Sequence, residues 1–310
     1  MKLEYTCPRC RHIMIVEESE FGQRIQCAAC ESPVGIPDKF VGEGVILGGY
    51  KIIRKIGKGG MGEVFLAVQL AMEREVALKV LPSKMTRHHD SIERFMREAR
   101  MAARLTHPNI VTVLEAGEDS GYYFIAMNFI HGETLEQILE RERRLDPLEA
   151  LRYIRQVADA LQFGWDHFQI LHRDIKPANI MIENGGRVKL LDMGLAKSIL
   201  EDSGMTATGT ILGTPYYMSP EQARGEGPID FRTDMYALGA TLYHLIAGKP
   251  PFDADTPVAI MTKHILEEPP PISKLAPKTP PAIVTIIHRL LQKNPHDRYS
   301  SYAELIDDIE

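Results

Sequence analysis

The sequence predicts an α+β chain of two unequal lobes, strand-rich first and helical second, preceded by a small cysteine-stapled module. Three observations carry that reading. All four cysteines fall within the first 30 residues. Short runs rich in Val, Ile, Phe and Leu fill most of the stretch from Tyr50 to Phe129. Beyond Phe129, helix starts and stops dominate to the end. Strands followed by helices, rather than alternating with them, is the order of a segregated α+β arrangement. A length of 310 residues leaves room for one large two-lobed domain and something small.

The cysteines form two CxxC pairs, Cys7/Cys10 and Cys27/Cys30, separated by sixteen residues. That spacing suits one tetrahedral zinc ion held by four thiolates. Disulfides are the alternative, disfavoured in a reducing cytoplasm. Residues 1–38 therefore read as a zinc ribbon. His12 to Val16 is expected as one strand, Arg24 to Cys27 as its partner, and Glu17 to Gly22 as the turn between them. So short a segment cannot bury a stable core, and a metal would supply the missing stability. Breakers at Pro33, Gly35, Pro37, Gly42, Gly44 and Gly48 read as a linker, placed at 39–48.

From Tyr50 the texture is β-like. Tyr50 to Ile56, Glu63 to Leu70, Glu75 to Leu81, Val111 to Ala116 and Tyr122 to Phe129 are expected as strands. Asp90 to Leu105 reads as a helix, with Asp90 and Glu93 as a capping box and Ile92, Phe95 and Ala99 on one face. A second helix opens with Asp146 as N-cap and Pro147 in its first turn, and runs to about His167. Asp234 to Ala247 is nearly all apolar, hence a buried helix that Gly248 closes. A last helix spans Tyr302 to Glu310. The lobes divide near residue 130, giving about 49–130 and about 131–310.

Chemistry concentrates in a few motifs. Gly57-Lys58-Gly59-Gly60-Met61-Gly62-Glu63-Val64 is a GxGxxGxV run between two strands. Glycines there let backbone N–H groups approach phosphate oxygens, although a plain turn has the same composition. Its place between strands argues against a dinucleotide fold. Lys79 sits in an apolar strand and needs a partner or must snorkel as an edge lysine. Glu98 on the following helix is the natural counter-charge. His172-Arg173-Asp174-Ile175-Lys176-Pro177-Ala178-Asn179 follows, then Asp192-Met193-Gly194. Asp174 can orient a hydroxyl and accept its proton. Asn179 and Asp192 offer hard oxygens to magnesium, and Lys176 can offset phosphoryl charge. Any single Asp or Asn of this set is equally a turn cap. All of them together, in one order, are not.

On these motifs the chain from about Tyr50 to its end resembles the eukaryotic-type protein kinase domain, and within it the bacterial serine/threonine kinases. The resemblance implies ATP with magnesium (or manganese) and transfer of the γ-phosphate to protein hydroxyls. It implies that Gly57, Lys58, Gly59, Gly60 and Gly62 cover the phosphates, and that Lys79 holds them while paired with Glu98. Asp174 would be the catalytic base beside Lys176, with Asn179 and Asp192 on the metal. Val64, Ala77 and Met181 would enclose the adenine, Met127 would be the gatekeeper, and Asn128 to Ile130 the hinge. Glu221, in Ser219-Pro220-Glu221, would pair with Arg298, and Asp234 would brace the catalytic loop. Thr206, Thr208 and Thr210 are phosphorylation candidates, and Thr214 matches a structural threonine. A phosphate on that segment could pair with Arg173 or Lys197. Their alternative is a plain solvated loop. Two departures stand out: Met193 where Phe is usual, and Asn128 where many relatives carry Glu.

Bulk properties narrow the partners. A net charge of −6 gives no reason to expect bulk binding to nucleic acid or anionic membrane. Residues 1–40 hold five Lys/Arg and six Asp/Glu, so the ribbon itself is no phosphate binder. Protein contact or a purely structural role suits it better, by packing on the small lobe or recruiting a substrate; for the chain as a whole a protein partner or a homodimer is left open. No apolar run approaches a membrane span and no signal-peptide pattern opens the chain, so a cytoplasmic place is expected, with an anchor beyond residue 310 left open. The rival functional reading is a nucleotide-binding pseudokinase or scaffold that works through the ribbon.

Overall fold

Two short hairpins open the chain. The computed structural model describes residues 2–36, 41–59, 62–81, 89–193, 215–225 and 229–310. β1 (Lys2–Thr6) pairs with β2 (Ile13–Glu17), and β3 (Arg24–Gln26) with β4 (Pro33–Gly35), both antiparallel. This corrects the expected pairing of His12–Val16 with Arg24–Cys27. Each CxxC pair closes its own hairpin instead. The Cys7 carbonyl accepts from Arg11 N at 2.9 Å and the Cys27 carbonyl from Glu31 N at 2.8 Å, so the two turns are the same device used twice. Pro33 and Gly35, expected in a linker stretch, lie in β4. Here the core is a handful of side chains: Cys7, Met14, Val16, Cys27, Val34 and Ile36.

The next sheet runs in the order β5-β6-β7-β8-β10-β9. Its strands are β5 (Ile46–Leu47), β6 (Tyr50–Gly59), β7 (Gly62–Gln69), β8 (Arg74–Val80), β9 (Val113–Asp119) and β10 (Tyr122–Asn128). β8 is central and buried on both faces from Val76 to Val80, a run that is apolar except for Lys79. Alternation sends Val76, Leu78 and Val80 into one cluster and Ala77 and Leu81 into the other. Helix α1 (His89–Ala102) covers the second face through Phe95, Ala99 and Ala102. Strand β9 starts at Val113, two residues beyond the expected start. The reason is long-range: Val111 N donates to the Leu190 carbonyl at 3.1 Å, and Ile110 bridges Leu190. That stretch is claimed by the second lobe.

The second lobe begins with β11 (Gly132–Thr134) and α2 (Leu135–Glu142). α3 (Pro147–Phe168) starts as its sequence dictates, with the Asp146 carboxylate accepting from Leu148 N and Glu149 N. β12 (Ile180–Glu183) and β13 (Val188–Leu190) complete a three-stranded sheet with β11. Then come α4 (Pro220–Arg224), α5 (Arg232–Ala247), α6 (Pro257–Leu266), α7 (Ile272–Leu275), α8 (Pro281–Leu290) and α9 (Tyr302–Ile309). α5 is buried almost all round, so its lack of amphipathicity is its signal. Gly248 closes it at φ +76°, where a Cβ would lie 2.7 Å from the Arg143 carbonyl. No helix among the described residues is long and apolar enough to cross a membrane.

Candidate active site

Register builds the first wall of the cleft. Lys79 lies opposite Val64 on β7 and Ile125 on β10, and Ala77 lies opposite Leu66 and Met127. Val64, Ala77, Met127, Ile130 and Met181 join one apolar cluster, with Met181 contributed by β12 of the other lobe. The side chains expected around an adenine therefore do meet. Asn128 is exposed at the end of β10, its N–H given to the Thr112 carbonyl at 3.0 Å. The glycine run is a hairpin tip: Gly57 pairs with Val64, Lys58 with Glu63 and Gly59 with Gly62. Gly60 and Met61 lie outside the described residues.

Lys79 is 4% exposed, so its ammonium needs a partner. Its Nζ donates to Asp192 Oδ1 at 2.8 Å, an ion pair across the two lobes. Burial works against the Asp192 charge, but Lys79 overcomes it and holds the carboxyl below the usual carboxylate range. Glu98 sits on α1, and its side chain lies outside the described residues.

The other wall is a loop of short polar contacts. Asp174 Oδ2 accepts from Lys176 Nζ at 2.8 Å and from Asn179 Nδ2 at 3.0 Å. Asn179 Nδ2 also donates to the Asp174 carbonyl at 2.7 Å. With its amide nitrogen so committed, the side-chain oxygen is the Asn179 atom that could hold a metal. The Asn179 carbonyl in turn accepts from Leu191 N at 2.9 Å, which sets it beside Asp192. Asp234, buried on α5, accepts from His172 N and Arg173 N, both at 2.7 Å. Arg173 (φ +62°) and Asp192 (φ +55°) are non-glycine residues in left-handed backbone. Such conformations persist where the surroundings over-determine them, as at sites of chemistry.

Below the cleft, Arg298 Nη1 and Nη2 donate to Glu221 Oε1 and Oε2 at 2.7 and 2.9 Å. Burial opposes the Glu221 charge, yet Arg298 keeps its carboxyl below the ordinary range. Gly194, Thr206, Thr208, Thr210 and Thr214 lie outside the described residues.

Two supports escaped the sequence reading. Ser219 caps α4 in a capping box with Gln222, a Ser-x-x-Gln spelling that was there to be read. Asn109 Nδ2 reaches Gln156 Oε1 at 3.1 Å and the Val188 carbonyl at 2.9 Å, which clips the first lobe to α3 and β13. Nothing local announces that clip, because its parts are far apart in sequence.

In the hairpins at 2–36, the Sγ atoms of Cys7, Cys10, Cys27 and Cys30 all lie within 4.8 Å of one another. Cys7–Cys30 and Cys10–Cys27 are 3.8 and 3.6 Å apart, and no disulfide links them. Tetrahedral zinc with Zn–S near 2.3 Å requires S–S edges of about 3.8 Å, so the donor set fits that ion. The Ser32 hydroxyl and N–H are the main reason the Cys30 thiol is lowered to about 6.

A two-lobed fold with a lysine–carboxylate pair across its cleft and an Asp–Lys–Asn loop below it defines a phosphotransfer class. The protein kinase domain family model matches residues 50–308, and the chain belongs to that family. The serine/threonine-protein kinase pkn3 of Myxococcus xanthus is 43% identical over 274 residues, 85% of this chain and 50% of that protein. PrkC of Bacillus subtilis is 39% identical over 265 residues, 86% of this chain and 40% of that protein. The chain thus spans about half or less of the length of these curated relatives. Among solved structures, the PknI kinase domain of Mycobacterium tuberculosis matches at TM-score 0.69 and 32% identity, covering 87% of this chain and 98% of that one.

Proposed function

We propose that the chain is a catalytically competent serine/threonine protein kinase, acting on protein hydroxyls, whose first 36 residues are held by a structural zinc ion. The observation that carries the catalytic reading is the Lys79–Asp192 pair facing the Asp174–Lys176–Asn179 cluster. A pseudokinase usually lacks part of that set.

Bound Mg·ATP supplies the phosphoryl group and the charge that neutralises it. Lys79 fixes the phosphates from the first lobe, and Glu98 is assigned as its second counter-charge. Asp192 and the Asn179 oxygen are the magnesium ligands. Asp174, held by Lys176 and Asn179, orients the substrate hydroxyl and takes its proton as the oxygen bonds to the γ-phosphorus, while the bond from that phosphorus to the β-phosphate oxygen breaks and ADP leaves. Lys176 then offsets charge on the migrating group. Val64, Ala77, Met127 and Met181 enclose the adenine, with the backbone from Asn128 to Ile130 at its edge. Thr206, Thr208 and Thr210 remain the proposed modification sites, with Thr214 structural. Four cysteines with no disulfide among them and a need for ATP favour a reducing, cytoplasmic setting.

The test is transfer of labelled γ-phosphate from Mg·ATP to the chain itself and to a generic basic protein. Asp174→Asn should abolish the label while leaving nucleotide binding intact. Equal labelling of wild type and variant would sink the assignment. No label in wild type, with nucleotide still bound, would favour the scaffold reading.

A further inference from the structure

We infer that Gly164 is a positioning residue for phosphoryl transfer: its missing side chain is the seat of Met193, and that seat helps to fix Asp192. The inference rests on the assignment of Asp192 as a magnesium ligand.

Gly164 lies inside α3, where glycine is a poor helix former and alanine the best. A local reason for it is visible. A Cβ added there would lie 2.0 Å from Met193 Cε and 3.8 Å from the Ile170 carbonyl. Met193 is 2% exposed and belongs to the main helical core, so its methyl has no solvent to swing into. A side chain at 164 would drive Met193 back along its own chain, toward Asp192. Asp192 is at φ +55° and tied to Lys79, so it has little slack to absorb the push.

The residue on the other side of Asp192 is held as well. Asp174 N donates to His172 Nδ1 at 3.2 Å, which leaves the ring proton on Nε2. His172 Nε2 then donates to the Leu191 carbonyl at 2.8 Å. Both anchors trace to one short stretch. The Gly164 carbonyl accepts from Ile170 N at 3.1 Å, and Ile170 leads directly into His172. Residues 191 and 193 are thus gripped from α3 and the loop that follows it, with Asp192 between them. The sulfur and methyl of Met193 are also the natural filling for such a notch, since Met adapts to irregular gaps.

The experiment uses the full chain and compares wild type, Gly164→Ala, Gly164→Ala with Met193→Leu, and Asp192→Asn. Transfer rate is measured against Mg2+ and against protein substrate, and melting temperature is recorded for each. Gly164→Ala should lower kcat roughly 10- to 100-fold, the scale of a displacement of about 1 Å at a reacting centre. It should raise the Mg2+ concentration for half-maximal rate, leave KM for the protein substrate unchanged, and lower the melting temperature by only a few degrees, because the helix preference of alanine offsets part of the crowding. The double variant, whose residue 193 ends short of the notch, should recover most of the rate. Wild-type kcat and Mg2+ dependence in Gly164→Ala would overturn the inference. So would a loss that follows a lowered melting temperature and is not rescued by Met193→Leu. Wild-type transfer by Asp192→Asn would instead overturn the ligand assignment beneath it, which is a separate result.

Discussion

The hairpins at 2–36 and the helical lobe behind the cleft are held together by opposite means. In the hairpins the interior is little more than Cys7, Met14, Val16, Cys27, Val34 and Ile36, and two of those six belong to the cysteine cluster proposed to hold zinc. Their strands are no longer than five residues. In the helical lobe, α3 and α5 bury long apolar faces in one continuous cluster, and the buried Arg298 is paired with Glu221. A segment stabilised through one point should fail at once when that point is removed. A segment stabilised through many should fail only by degrees. The two regions are therefore told apart by how steeply each responds to a single insult.

The largest response should come from metal removal. Structural zinc in small modules is worth about 10–16 kcal/mol, far more than six side chains supply. A chelator, or Cys10→Ser, should erase hydrogen-exchange protection throughout 2–36. Protection in α3 and α5 should not change. Retained protection in the hairpins would mean that their apolar contacts suffice and that the contrast is wrong.

Next in size is the strongest single point in the helical lobe. Arg298 is fully buried at its side chain and binds Glu221 through both guanidinium nitrogens. Arg298→Ala should cost about 3–5 kcal/mol in denaturant unfolding, because Glu221 is left charged and buried. The pH dependence should reverse in sign. With Arg298 present, the lowered Glu221 pKa gives stability that is complete above the ordinary carboxylate value and lost as pH falls through the folded value. Without it, burial alone raises that pKa, so acidification between roughly pH 6 and 4 should stabilise the variant. Even so, loss of this one ion pair should leave the lobe folded, which sharpens the contrast with the hairpins.

The same contrast governs what could be read from sequence. The motifs of the cleft were legible because its chemistry depends on residue types in one order; that Lys79 and Ala77 share a face of β8 came from the strand register. The Glu221–Arg298 and Asp234 contacts followed once those motifs were recognised. The hairpin pairing was not legible. Apolar alternation marks His12–Val16 as a strand but carries no partner. The partner is set by the knuckle turns, whose positive-φ residues are Arg11 (φ 60°) and Glu31 (φ 54°) rather than glycines. Nor could the seat of Met193 be seen, because a glycine in α3 gains its meaning only from a side chain 29 positions on (164 to 193).

A smaller effect is expected where the helical lobe relies on a glycine. Gly248→Ala forces φ +76° on a side chain and brings its Cβ against the Arg143 carbonyl. The left-handed conformation alone costs about 1–2 kcal/mol. The melting temperature should fall accordingly, with kinase kinetics unchanged at a temperature where the variant is folded. An unchanged melting temperature would mean that α5 ends without help from this turn.

The smallest effect tests the same backbone conformation with the opposite outcome. Arg11 and Glu31 each follow the second cysteine of a pair and take the left-handed region that glycine takes at 248. Their N–H groups donate to the Cys7 and Cys27 carbonyls, and glycine would preserve both bonds. Arg11→Gly and Glu31→Gly should each relieve about 1–2 kcal/mol of backbone strain. Against that stands a loss of about 0.5–1 kcal/mol from the greater freedom of glycine in the unfolded chain. The difference is about 0–1.5 kcal/mol per site, in favour of the folded hairpin, so zinc affinity in a chelator competition should rise by no more than about tenfold per substitution. A fall in affinity would show that the strain is not felt and that these side chains hold the knuckles in some other way. A rise of the expected size would show that the strain at these two turns is felt, a cost that the chain also carries at Arg143 and Gln169 behind the cleft and that Gly248 spares the end of α5.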